Sequence, residues 1–111
     1  MNILDLAENS GLEVDEYIEL IDVFVSRSRC DFDDLMSALG QGDGKAASRA
    51  AHSIKGAAGN LGLASLYETA KDIEKTALGG ALEEARNLVV KLKEGLEEIA
   101  TLAQKQTKDE P

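Results

Sequence analysis

The chain has 111 residues, enough for one domain with one modest core, and carries a formal net charge of −9. That charge excludes the cationic surplus that nucleic acids and anionic membranes demand, so a protein partner is expected. One cysteine, Cys30, excludes an internal disulfide or a cysteine zinc cluster, and no apolar run approaches the ~20 residues of a membrane span.

The first element is a short helix over Asn2 to Ser10, with Ile3, Leu4, Leu6 and Ala7 facing inward and Gly11 as its stop. Asp15 stands ahead of a long periodic stretch. In it Tyr17, Ile18, Ile21, Phe24, Val25, Ser28, Phe32, Leu35, Met36 and Leu39 recur at helical spacing. Cys30, on this helix, is expected to be partly buried. Gly40, Gly42 and Gly44 end the stretch, and Asp43 is placed to cap the next helix, Gly44 to Asn60. Gly62 breaks the chain. A fourth helix carries Leu63, Leu66, Tyr67, Ala70, Ile73, Ala77 and Leu78 up to Gly79-Gly80, and a fifth carries Leu82 through Leu102.

Abundant Ala and Leu, 4% aromatic residues and a single terminal proline favour helices over strands. Four substantial helices on short glycine turns imply an all-α, antiparallel up-and-down four-helix bundle with an additional short N-terminal helix. The domain spans residues 1–104, and residues 105–111 form a polar tail expected to fray.

The chemistry concentrates in His52-Ser53-Ile54-Lys55-Gly56-Ala57-Ala58-Gly59-Asn60-Leu61-Gly62. On a helical wheel Lys55 lies at about −60°, Gly56 at about +40° and Gly59 at about −20° from His52. Lys45, Ser48 and Arg49 join that face, while Ala47, Ala50, Ala51, Ile54, Ala58 and Leu61 fall opposite. The one histidine therefore points away from the core. Glycine inside a helix costs about 0.5–1 kcal/mol relative to alanine, so Gly56 and Gly59 on the exposed face read as clearance for a partner. Close helix approach is the competing reading. A neutral imidazole has a free lone pair that can attack phosphorus, and an ammonium at the third position beyond it can offset phosphoryl charge.

His52, Lys55, Gly56, Leu61 and Gly62 together resemble the histidine phosphotransfer (HPt) family, and the likeness extends over most of the chain. The resemblance implies that His52 accepts a phosphoryl group from a receiver-domain aspartyl-phosphate or a sensor histidine kinase and passes it to a receiver aspartate. It implies charge neutralisation by Lys55 and access through Gly56 and Gly59; Lys45, Ser48 and Arg49, sharing the helix face of His52, are the expected partner contacts. It also implies a phosphocarrier that is not an enzyme in its own right and has no cofactor, Mg²⁺ belonging to the receiver. A monomer in the reducing cytoplasm is the expected setting.

Other chemistries find little support. Gly42-Asp43-Gly44-Lys45 lacks the first glycine of a phosphate loop, which would stand at Leu39, and its closing Ser or Thr, which would stand at Ala46. No metal-ligand spacing occurs, and a Ser48–His52 pair on an exposed helix has no oxyanion hole. Two alternatives remain: a docking module of the same fold that is never phosphorylated, and the phosphoacceptor segment of a larger kinase, including the chemotaxis type.

Overall fold

The computed structural model describes residues 2–108. The first three of its helices begin where side chains satisfy free backbone N–H groups. The first, α1 (Ile3–Asn9), is capped by Asn2, whose Oδ1 accepts from Leu4 N at 2.9 Å. Helix α2 (Val14–Gly40) opens with a capping box in which Glu13 and Glu16 serve each other's backbone N–H groups, so Asp15 lies inside the first turn rather than ahead of it. Asp43 caps α3 (Gly44–Asn60) by accepting from Ala46 N at 3.1 Å, as expected. Helices α4 (Ala64–Leu78) and α5 (Leu82–Lys108) complete the chain. Gly42 and Gly62, which bracket α3, sit at φ of +72°, where a side chain would be strained.

The helices form an antiparallel bundle in which α3 packs between α2 and α4, and α5 closes the ring against α4 and α2. Helix α1 packs against α2 and α5. The molecule is elongated, 48 × 22 × 17 Å. Tyr17 is fully buried and donates from its Oη to Leu61 O at 2.6 Å, tying the start of α2 to the α3–α4 turn; burial pushes its phenol pKa up. Arg86 performs the matching task at the other end, donating to Leu39 O at 2.6 Å in the last turn of α2.

The core face of α3 consists of Ala47, Ala50, Ala51, Ile54 and Ala58, all buried. These small side chains let neighbouring helices approach closely. A Cβ on Gly44 would collide with the Ala77 carbonyl.

Several expectations need correction. Leu4, Met36 and Leu78 are exposed, because hydrophobic periodicity marks a stripe but not its width. Cys30 is exposed rather than partly buried. The polar tail expected to fray from residue 105 is helical as far as Lys108. The rest of that expectation, residues 109–111, lies outside the described residues. No helix among the described residues is long and apolar enough to cross a membrane.

Among the described residues one buried hydroxyl, Ser28 Oγ on α2, has no hydrogen-bond partner. Leaving a polar group dry and unpaired typically costs 1–3 kcal/mol. Ser28→Ala is therefore expected to raise stability by about 1 kcal/mol, seen as a higher denaturant midpoint at unchanged slope.

Candidate functional site

The site forms where α3 meets α4. His52 lies midway along α3 on the side turned from the core, its side chain 66% exposed. Lys55, one turn on, leans toward α4 and is only 20% exposed. Between them stands Glu74 of α4. Its Oε2 lies 2.6 Å from His52 Nδ1, and its Oε1 accepts from Lys55 Nζ at 2.7 Å.

Glu74 decides the histidine's protonation pattern. Partial burial pushes the Glu74 carboxyl pKa upward, but hydrogen bonds from Lys55 and His52 outweigh burial and hold it below the ordinary carboxylate value. The carboxylate is ionised at neutral pH and only accepts hydrogen bonds. Nδ1 therefore carries the proton and donates, and in the neutral ring the lone pair lies on Nε2. The same hydrogen bond holds the Lys55 ammonium above its ordinary pKa, with burial opposing. The ion pair is intact at neutral pH. It is lost toward acid as pH falls through the depressed pKa of Glu74, and toward alkali as pH rises through the raised pKa of Lys55.

Around this triad the expected residues separate. A Cβ added to Gly56 would meet nothing within 4 Å, so the space over that turn is open. Gly59 is different: a Cβ there would come 3.2 Å from the Tyr67 ring. Its missing side chain accommodates α4, as close helix approach requires, whereas no neighbour crowds Gly56. Lys45 and Arg49 are exposed and form no ion pair among the described residues. Ser48 is buried and cannot be a surface contact. Lys55 and Ser48 both fall on one side of His52, where Lys55 meets Glu74 of α4.

Glu74 is the residue the sequence reasoning missed. A faint signal existed, for Glu74 stands two turns after Tyr67 on one stripe of α4. Only the antiparallel register, with Tyr67 beside Gly59, brings it to His52. On the other flank of His52, next to Ser53, a groove of about 320 Å³ opens between α2 and α3, with Leu20, Val23, Phe24, Ala57 and Leu61 among its walls. No group of three or more His, Cys, Asp or Glu among the described residues could hold a metal ion.

A helical bundle presenting one exposed histidine beside a lysine and an open glycine is the arrangement of a phosphotransfer domain. The Hpt domain family matches residues 19–102, and the chain belongs to that family. Among solved structures it is similar to histidine-containing phosphotransfer protein B (HptB) from Pseudomonas aeruginosa PAO1, with 30% identity and a TM-score of 0.83. The match covers 96% of this chain and 92% of that one. No curated protein matches the chain at significance.

Proposed function

We propose that the chain is a phosphorelay carrier in which His52 Nε2 takes a phosphoryl group from a receiver aspartyl-phosphate, or from a kinase domain, and yields it to a receiver aspartate. The observation that carries this reading is the hydrogen bond from His52 Nδ1–H to Glu74, which leaves a lone pair on the unbonded nitrogen of an exposed imidazole. In the forward step the Nε2 lone pair forms the P–N bond while the donor's P–O bond breaks, its electron pair remaining on the donor carboxylate. Lys55 stands one turn away to offset phosphoryl charge. The groove between α2 and α3 supplies an apolar contact for the partner, with Lys45 and Arg49 on the same helix as cationic contacts. Mg²⁺ and the activating acids belong to the receiver, so the carrier itself needs no cofactor.

A two-receiver relay tests this. A donor receiver carries labelled phosphate, and a second, unlabelled receiver is added with or without the chain. Label is expected on the second receiver only when the chain is present. Binding to both receivers with no movement of label would establish a docking module instead.

Gly56 gives a sharper check, because stability and function should move in opposite directions. Gly56→Ala removes a helix-weakening glycine from open space and is expected to stabilise the fold by about 0.5–1 kcal/mol. The added methyl stands where the partner must approach. Transfer is expected to slow roughly tenfold, corresponding to ~1.4 kcal/mol of lost transition-state binding. Thermal unfolding and single-turnover transfer kinetics measure the two effects.

A further inference from the structure

On the side of α2 turned away from α3, a furrow runs between α2 and α5. One hollow in it, of about 270 Å³, has Val25, Phe32 and Leu96 among its walls. A smaller hollow of about 190 Å³ shares Val25 and Arg29 and carries the furrow on to Ala100 and Gln104. Past the opposite end stand Met36, one turn beyond Phe32, and Val90, one turn before Lys93, 47% and 59% exposed. Apolar surface thus continues from the furrow into solvent.

Four exposed charges rim the larger hollow: Arg29 and Asp33 on α2, Lys93 and Glu97 on α5. Each helix contributes a cation and, four residues later, an anion. None of the four forms an ion pair among the described residues, although Arg86 pairs with Glu83 on the same α5. A cation four residues before an anion is the poorer orientation for a pair within one helix. The rim is balanced, two charges of each sign, in a chain whose net charge is −9.

We propose that this furrow is the contact face of a homodimer, covered by the same furrow of a second copy. A two-fold axis crossing the helices at the hollow reverses their direction, so the order cation-then-anion meets its own reverse. Arg29 then lies opposite Asp33 of the second copy and Lys93 opposite Glu97 of the second copy, each pair occurring twice. The cation and anion on each helix stand about 6 Å apart, and all four charges line one hollow, so one axis serves both helices. The exposed parts of Phe32 and Met36 leave water in the same contact. A strongly cationic or anionic partner would leave half of these charges facing their like. The α2–α3 groove lacks the pattern, since Arg27 and Asp31 line it from α2 but Ser53, Ala57 and Asn60 from α3 carry no charge.

The net charge of −9 repels a second copy at long range. Physiological salt screens exposed charges beyond about 8 Å, which leaves the local pairs to decide. A long side of the molecule measures at least 48 × 17 Å, comparable to the ~800 Å² that each partner buries in a standard interface. His52, bonded to Glu74, sits at the α3–α4 edge of the bundle, across from the furrow, so both acceptors of the dimer stay open to partners. The dimer replaces the monomer expected from the sequence.

Sedimentation velocity on the full chain, from micromolar to millimolar concentration, tests this. Wild type is expected to pass from monomer to dimer over that range. Arg29→Asp leaves two anions on the α2 rim and Asp33→Arg two cations, so like charges then face each other across the axis. Each variant is expected to raise the dissociation constant at least about tenfold. Both positions are exposed, so the fold should be kept, which circular dichroism checks. The double variant carrying both changes restores opposite charges and should dimerise like wild type. An equimolar mixture of the two single variants should associate where neither alone does. Phosphoryl uptake at His52 per chain should be the same throughout, so loss of the dimer and loss of the carrier function are separate results. A wild-type chain that is monomeric at millimolar concentration overturns the proposal and leaves the furrow open to a different occupant. A dimer that neither single variant weakens, or that the double variant does not restore, overturns this face as its contact.

Discussion

The His52→Gln variant is expected to take up no phosphoryl group from any donor and to fold like the parent. Both halves come from the same geometry. The imidazole is 66% exposed, and its one side-chain hydrogen bond among the described residues is to Glu74. Substitutions at such surface positions usually shift stability by no more than about 0.5 kcal/mol, and a glutamine amide can still donate to the carboxylate. Chemistry, by contrast, is lost outright, because an amide nitrogen has its lone pair delocalised into the carbonyl and cannot attack phosphorus. Intact mass after incubation with phosphorylated receivers, together with a thermal melt, measures both halves. Uptake by the variant would move the acceptor elsewhere on the chain.

The opposite separation is expected at Ile54, two residues further along α3. Its side chain is fully buried and faces the core among alanines that have no spare volume to fill a hole. Truncation of a buried isoleucine to alanine removes its burial free energy and leaves a cavity, at a combined cost of about 2–5 kcal/mol. Against a typical total stability of 5–15 kcal/mol, Ile54→Ala should lower the melting temperature on the order of 10–20 °C. His52 is about 160° around the helix and would still be presented to solvent. Phosphoryl uptake per folded molecule, measured well below the melt, should therefore stay close to that of the parent. A variant that melts like the parent would contradict the packing described for α3.

The two positions also show what the sequence could and could not reveal. The opposed faces of α3 were legible because they depend only on spacing along one helix. The ends of α3 were legible too, since Asp43 and the flanking glycines act locally. What a helical wheel lacks is the location of the neighbouring helix. Ser48, Lys55 and Gly59 all share the face of His52, yet α4 packs beside that face. It engages Lys55 through Glu74 and presses Tyr67 against Gly59, and Ser48 is buried. Gly56, on the other flank, stays open as the spacing implied. Glu74 itself lies 22 residues beyond His52 and becomes visible only when the register of two antiparallel helices is known. A related limit explains Leu4, Met36 and Leu78, whose periodic placement was apparent while the width of the buried stripe was not.

His52 is proposed to carry a phosphoryl group received from an aspartyl-phosphate. The most direct measurement is to mix the full chain with phosphorylated receiver domains and map any added phosphoryl group by peptide mass spectrometry. The expected result is a single acid-labile phosphoryl group on the peptide containing His52, gained as the receiver loses its own and returned when fresh receiver is added. Phosphate released only to water, or an adduct on any residue other than His52, would contradict it.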